Sequence, residues 1–389
     1  MNPFSDMADK NTLSQVGGAA HHLGKHGASP SILDYIVARE NEFINDLRQA
    51  QEEGFPIYIM GSAHGGGKQA AVCLENAQVP YEGLLVNRAF WTENSPEQCL
   101  EDIMEQTQTK VCIVIAFRGY HEGILEPYKD KINRIIARDC FAGIRMIGDS
   151  GFMTYDWVVE HREQLQNIFD MLQDELSRES MAAYINQKIS ADFKYLAEVK
   201  REHQYFEDGL VELSAAERFL DCGAFDGDSA AAFVDALRQK GIESYEEIIS
   251  FEPDPGNCEK MRHRNLPRHT CICKGVAESP GVVSFAADGT SGRVEADGGE
   301  QIELESIDHY LNGTHATMIK MDIEGMELSA LKGAEQTIKA WRPKLAICIY
   351  HKKEDLWEIP EYIKKLVPSY RFYVRAYDDT ACELVLYAL

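Results

Sequence analysis

Three stretches in the C-terminal half concentrate residue types that can hold a polar cofactor and take up a proton. In the first, FLDCGAFDGDS, apolar Phe219 and Leu220 lead to Asp221, and Gly223 and Gly227 flank a short turn. Glycine lets the backbone approach a ligand closely, and in open parallel sheets ligands bind beyond the carboxyl ends of the strands. The second, EIISFEP, ends on Glu252 about thirty residues later, where a carboxylate can accept hydrogen bonds from a ribose diol. The first turn also carries Asp226 and Asp228. An acidic turn suits a cationic amine or sulfonium and opposes a pyrophosphate, which seeks helix N–H groups free of competing anions. Together the two features favour S-adenosylmethionine over NAD; the plain alternative is an ordinary βαβ unit with solvated acids. The third stretch runs from MIKMDIEGMELSALKG to KLAICIYH and places Asp322, Glu324, Glu327 and His351 at strand ends and the adjoining turn.

These side chains meet only if alternating strands and helices carry them to one sheet edge. Apolar runs ending at Leu220, Phe251, Met321 and Tyr350 read as strands, with helices from Ser229 to Gln239 and from Glu327 to Ala340, the latter stopped by Pro343. The N-terminal half repeats the device. A helical pattern from Ser31 to Glu53 precedes the strand FPIYIM, a glycine-rich turn and a helix from Lys68 to Asn76. The strands EGLLVN and KVCIVIAF follow, separated by the helix SPEQCLEDIMEQTQ with Ser95 as its N-cap, and GIRMIGD reads as a fourth strand. Strand–helix alternation implies parallel sheets. The chain thus divides into a tail over residues 1–30 containing His21, His22 and His26, a small Rossmann-like α/β domain over 31–155, a helical connector over 156–215, and a second α/β domain over 216–389.

In consistent order over roughly residues 170–389, the motifs resemble the FkbM family of S-adenosylmethionine-dependent methyltransferases. Asp221, Gly223, Ala224 and Gly227 match its acidic G-A-x-x-G turn, and Phe251, Glu252 and Pro253 match its F-E-P. Lys320, Asp322, Glu324, Gly325, Glu327, Leu331, Lys332, Gly333 and Ala334 match K-x-D-x-E-G-x-E followed by L-K-G-A; Arg342, Pro343, Leu345, Tyr350 and His351 match R-P-x-L and the closing Y-H. The resemblance implies a class I methyltransferase fold, α/β with a seven-stranded sheet, its last antiparallel pair supplied by YRFYVRAY and CELVLYAL. It implies transfer of a methyl group to a small-molecule hydroxyl, a sugar or secondary metabolite. By position, Gly223, Ala224, Phe225 and Gly227 would line the methionine part of the cofactor, Glu252 beside Pro253 its ribose, and Val276 and Ala277 its adenine.

Methyl transfer needs positioning of the acceptor and, for a hydroxyl, a base. Asp322 and His351 are the candidate bases, with Glu324 and Glu327 orienting substrate or pairing with Lys320. Asp322 and Glu324 lack an evident third ligand, so no metal is expected. The N-terminal GSAHGGGK is one residue too long for a phosphate loop, has Gln69 where Ser or Thr would hold magnesium, and is followed by a second strand ending at Asn87 rather than an acid. That argues against a nicotinamide-dependent oxidoreductase and leaves this domain a structural or nucleotide-sugar-holding role. A noncatalytic protein with a retained cofactor pocket, or a methyltransferase acting on protein, remain as other readings.

A net charge of −24 opposes nucleic acid and anionic membranes as partners. No apolar run reaches the ~20 residues of a membrane span, and the N-terminus lacks a signal peptide's pattern. A cytoplasmic location is expected. The ten cysteines are scattered; Cys112 and Cys348 sit in apolar runs as buried thiols do, while Cys271 and Cys273 form a lone C-x-C on one strand face with no second pair for zinc.

Overall fold

Capping side chains decide where the first helices begin. The computed structural model describes residues 30–63, 65–120, 122–143, 151–288, 291–294 and 300–389; the tail histidines lie outside them. Ser31 accepts from the Leu33 amide to start a single turn, α1 (Ile32–Tyr35), and Asn41 accepts from the Ile44 amide to start α2 (Glu42–Glu53). The continuous helix expected over 31–53 is therefore two, each with its own cap and an extended stretch between.

The N-terminal sheet is built from β1 (Ile57–Met60), α3 (Gly66–Asn76), β2 (Gly83–Val86), β3 (Gln98–Cys99), α4 (Leu100–Gln106), β4 (Val111–Ile115) and β5 (Ile132–Ile136). Its strands are parallel in the order β3-β2-β1-β4-β5, a doubly wound arrangement. Ser95 does not cap α4. Its hydroxyl accepts from Thr92 in a preceding turn, and Cys99 occupies the cap position after the short β3 pairs with β2. The strand after β4 is INRII; of the expected strand GIRMIGD, Gly143 ends a 3-10 turn and residues 144–149 lie outside the described residues. The alternation in INRII is interrupted by Asn133 and Arg134, which bond to Glu53.

Helices α5 (Tyr155–Glu160), α6 (Arg162–Met171), α7 (Glu175–Ser190) and α8 (Lys194–Val199) follow. Helix α7 is buried on every side from Met181 to Ser190. It can bury polar residues because they are bonded: Asn186 accepts from the Val37 and Ala38 amides, and Gln187 donates to Asp139.

The C-terminal sheet contains β6 (Arg218–Cys222), α9 (Asp228–Gln239), β7 (Glu247–Phe251), α10 (Pro255–His263) and β8 (His269–Ile272). A smaller sheet then inserts β9 (Gly275–Val276), β10 (Gly281–Asp288), β11 (Ser291–Val294) and β12 (Glu300–Glu305), in the order β11-β10-β12-β9. The chain returns through α11 (Ile307–Leu311), β13 (Met318–Met321), α12 (Glu327–Lys332), α13 (Glu335–Trp341), β14 (Lys344–Cys348), α14 (Asp355–Leu366), β15 (Phe372–Ala376) and β16 (Leu384–Ala388). The helix expected from Glu327 to Ala340 is divided at Gly333, where a Cβ would lie 2.2 Å from the Ala277 carbonyl; that close approach pins the helix pair against the turn after β9. Seven strands pair in the order β15-β16-β14-β13-β6-β7-β8, parallel from β14 to β8, with β16 antiparallel to both neighbours. This is the class I methyltransferase topology, so the α/β fold class and the closing antiparallel pair hold.

Cysteine chemistry differs from expectation at one place. The strand β8 stops at Ile272, and a disulfide joins Cys273 to Cys258 on α10; Cys112 and Cys348 are free and buried as expected. Among the described residues no helix is long and apolar enough to cross a membrane.

Candidate active site

The Asp221–Gly227 turn owes its place to packing beneath it. Phe219 and Phe233 stack at 4.9 Å, and Phe206 and Tyr245 close on them at 5.6 Å, each pair contributing about 0.5–1.5 kcal/mol beyond area burial. This cluster fixes α9 on β6 and hence the turn between them. Gly223 has φ +79°, and a Cβ there would lie 1.8 Å from the Asp322 carbonyl oxygen. Only glycine lets β6 and β13 deliver their ends side by side.

Beyond these ends opens a cavity of about 700 Å3. Of the residues expected to hold the cofactor, Gly223, Phe225, Glu252, Pro253 and Val276 line it. Asp221, Ala224, Gly227 and Ala277 do not. Asp221 is fully buried, receives the Ser229 hydroxyl at 2.5 Å and pairs with Lys320 at 3.1 Å. Lys320 also donates to the Gly223 carbonyl at 2.7 Å. The Asp221–Lys320 pair is thus a strut beneath the turn. Burial opposes the charge of Lys320, but Asp221 and Asp322 outweigh it and hold the ammonium above its ordinary range. Of the three acids in the turn, Asp226 is bound to Arg264 at 2.5 Å and only Asp228 faces the cavity. Ala224 packs on Met261 and Cys258, and the Ala277 amide donates to the Glu305 carbonyl.

Glu252 projects from the end of β7. Its two oxygens accept from the Phe225 and Asp254 amides, each at 2.9 Å. Burial is the main influence and raises its pKa; the amide bonds pull the other way. Each oxygen retains acceptor capacity toward the cavity. Gly275, Val276, Ile302 and Leu304 form an apolar end nearby. Ile302 and Leu304 come from the inserted sheet, and the alternation of QIELE is their only sequence signal.

Asp322, Glu324, Tyr205, Tyr350 and Glu383 line the same cavity. Asp322 accepts from the Tyr205 hydroxyl at 3.1 Å and the Tyr350 hydroxyl at 3.0 Å. Burial would raise its pKa, but Lys320 and His351 prevail and hold it low. His351 is fully buried and does not line the cavity. Its ring lies behind Asp322, with Nδ1 3.1 Å from Glu327 and Nε2 3.5 Å from Asp322 and 3.6 Å from Glu324. Burial disfavours its charge, yet Glu327, Asp322 and Glu324 together push its pKa up to about 10. These carboxylates favour the protonated ring, and the ring does not reach the cavity, so it is not placed to take a proton from a bound acceptor. Glu324, with φ +56°, is pushed up to about 7 by burial against the pull of His351. Glu327 is fully buried and accepts from the Ile323 amide at 2.8 Å. Glu324 and Glu327 pair with His351, not with Lys320. Asp322, Glu327 and His351 also offer ligand atoms all within 4.8 Å of one another, so space supplies the third donor that sequence spacing lacks.

Residues 221–374 match the family model of the methyltransferase FkbM domain. Over this stretch, less than half of its length, the chain is similar to the methyltransferase FkbM domain. A methyltransferase FkbM structure from Methylobacillus flagellatus aligns with 92% of this chain and 96% of its own at 23% identity and a TM-score of 0.65, which shows the shared fold, N-terminal sheet included. An rRNA methylase from Streptococcus thermophilus (14% identity, 45% of this chain and 87% of its own, TM-score 0.31) and a Streptococcus mutans methyltransferase solved with SAH (12% identity, 45% and 90%, TM-score 0.28) align too weakly to carry an argument. No curated protein matches in sequence. The FkbM domain match begins at Asp221, so the strut, the Glu252 end and the Asp322–His351 cluster all fall inside it, while Glu383 lies beyond its end.

Proposed function

We propose that this methyltransferase uses S-adenosylmethionine to methylate a hydroxyl group of a small molecule, with sugars among the candidate acceptors. The observation that carries this reading is one cavity lined both by a backbone-anchored carboxylate, Glu252, and by the Asp322–Glu324–Tyr350 group. The residues fit the cofactor: Gly223 lines the cavity with backbone alone, Glu252 can take a ribose diol, and Val276, Ile302 and Leu304 offer an apolar wall to a base.

When bound, S-adenosylmethionine would supply a sulfonium methyl group open to in-line attack by an acceptor oxygen, with S-adenosylhomocysteine as the leaving group. The chain's own contribution is to orient that oxygen and receive its proton. Asp322, fixed by two tyrosine hydroxyls, is ionised and orients the acceptor hydroxyl by accepting from it. Glu324, with a pKa near working pH, receives the proton on its carboxylate. His351, from behind, keeps both carboxylates in place.

Calorimetric titration with S-adenosylmethionine and S-adenosylhomocysteine tests the reading. A Glu252→Gln variant should weaken both; a hydrogen bond to a charged group is worth about 1.5–3 kcal/mol, or roughly tenfold or more in Kd. Failure of the wild type to bind either compound would sink the proposal.

A further inference from the structure

The glycines of the N-terminal turn are spent on packing: a Cβ on Gly66 would lie 1.9 Å from the Ala116 carbonyl oxygen, and one on Gly67 would lie 2.4 Å from that of Gly61. The contribution of this domain to the chemistry lies elsewhere, in its grip on the turn between β15 and β16. Asp139, fully buried after β5, accepts from the Ala381 amide at 2.8 Å and from Gln187 at 2.6 Å. Gln187 also donates to the Asp379 carbonyl at 2.7 Å, and Arg118, beyond β4, pairs with Asp378 at 3.2 Å. Three contacts from outside the hairpin therefore fix a turn whose last residue, Glu383, enters the cavity.

From Glu383 the contacts run inward. Gln204 donates to its carboxylate at 2.7 Å. The next residue, Tyr205, donates its amide to the Tyr387 hydroxyl on β16 at 3.0 Å and its own hydroxyl to Asp322. His203 and Tyr205 both have positive φ, 61° and 68°, a backbone state that persists only where surroundings impose it. Two contacts to the β15–β16 hairpin, Gln204 to Glu383 and the Tyr205 amide to Tyr387, brace this segment.

We propose that the N-terminal domain is a working part of the acceptor end: it fixes the Tyr377–Glu383 turn, and Glu383 and Gln204 transmit that placement to Tyr205 and so to Asp322. Arg118 and Asp139 are positioning residues in this scheme, while Glu383 faces the acceptor. The inference rests on the methyltransferase reading for what the acceptor end does, but the coupling is a physical claim that can fail separately.

The experiment is amide hydrogen exchange on the full chain, free and saturated with S-adenosylhomocysteine, for wild type, Arg118→Ala, Arg118→Lys, Asp139→Asn and the surface control Lys129→Ala. The expected result is at least tenfold faster exchange at Tyr205 and Phe206 in Arg118→Ala and Asp139→Asn. Arg118→Lys should restore protection, Lys129→Ala should have no effect, and Kd for S-adenosylhomocysteine should stay within twofold throughout. Should Asp139→Asn fail to fold, Arg118→Ala, at a half-exposed site, carries the test. Faster exchange confined to residues 378–382, with 205–206 unchanged, would overturn the proposal and leave the turn a mere tether. Loss of S-adenosylhomocysteine binding in wild type would instead strike the functional reading and leave the coupling standing on its exchange data.

Discussion

Replacing His351 by Gln removes the cation that, among the described residues, pairs with Glu327, a carboxylate with no solvent exposure. Breaking a buried ion pair from one side costs about 3–5 kcal/mol because the partner charge is left uncompensated. Proton linkage gives a similar size. The ring titrates near about 10 in the fold, against ~6.5 in an unfolded chain. At about 1.4 kcal/mol per unit, the difference is roughly 5 kcal/mol. The sign follows from the raised value. The fold prefers the protonated ring, so this stability is fully present below pH ~6.5 and is lost as pH rises through about 10. Urea unfolding of wild type and His351→Gln, followed by tryptophan fluorescence at pH 6, 8 and 10, measures it. The gap should be about 3–5 kcal/mol at pH 6 and shrink steadily toward pH 10. A gap below ~1 kcal/mol, or one that stays constant with pH, would refute the imidazolium assignment and return His351 to the role of a neutral base.

Glu324→Gln should lower kcat by about 10²–10⁴-fold, the usual worth of a general base. In wild type the rate should climb as pH rises through about 7, where Glu324 ionises, and that limb should vanish in the variant; transfer of tritiated methyl across pH 5.5–9 shows both. Gly223→Ala combines positive-φ strain, of order 1–3 kcal/mol, with a Cβ driven against the Asp322 carbonyl, a further ~1–3 kcal/mol of overpacking. Its urea midpoint should fall accordingly and S-adenosylhomocysteine binding should disappear; a variant with wild-type binding would contradict the close approach of β6 and β13. Because the His351 ring already sits between Asp322 and Glu327 and pairs with both, EDTA treatment should leave cofactor affinity and turnover unchanged. A tenfold loss restored by one added divalent cation would show that the three ligand atoms within 4.8 Å hold a metal.

Most parallel strands were legible from their apolar runs, though β3 and β5 were not, and Gly223 and Glu252, which line the cavity, were legible because a glycine turn and a strand-end carboxylate occur at fixed places along a βαβ unit. Depth was not legible. Asp221 and Glu252 both close apolar strands, yet the first is sealed under the turn with Lys320 and the second reaches the cavity. Whether a strand-end carboxylate faces ligand or props the turn depends on the neighbouring strand, here β13, whose Lys320 pairs across at Asp221. His351 was misread for the same reason: it follows a buried strand as a base should, but Glu327, one helix start away, draws its ring behind the pocket wall. Glu383 carries no local signal and Ile302 and Leu304 carry only the alternation of QIELE, because hairpin and insertion bring them from far along the chain.

The charges of the site make one further point about cofactor choice. Around the reacting end, Lys320 and His351 face Asp221, Asp322 and Glu327, leaving one negative charge before Glu324 and Glu383 are counted. Burial pushes those two up to about 7 and about 8, so near neutral pH they hold charge in reserve and ionise more fully when a cation arrives. An incoming sulfonium completes this balance, whereas a pyrophosphate would add like charge beside Asp228, Asp322 and Glu252 in a low-dielectric cavity. The acidic turn thus points to a cationic cofactor for a different reason than its sequence suggests. Two of its three acids are already neutralised by Lys320 and Arg264, and the selecting field comes from carboxylates on β13, β7 and the loops after them.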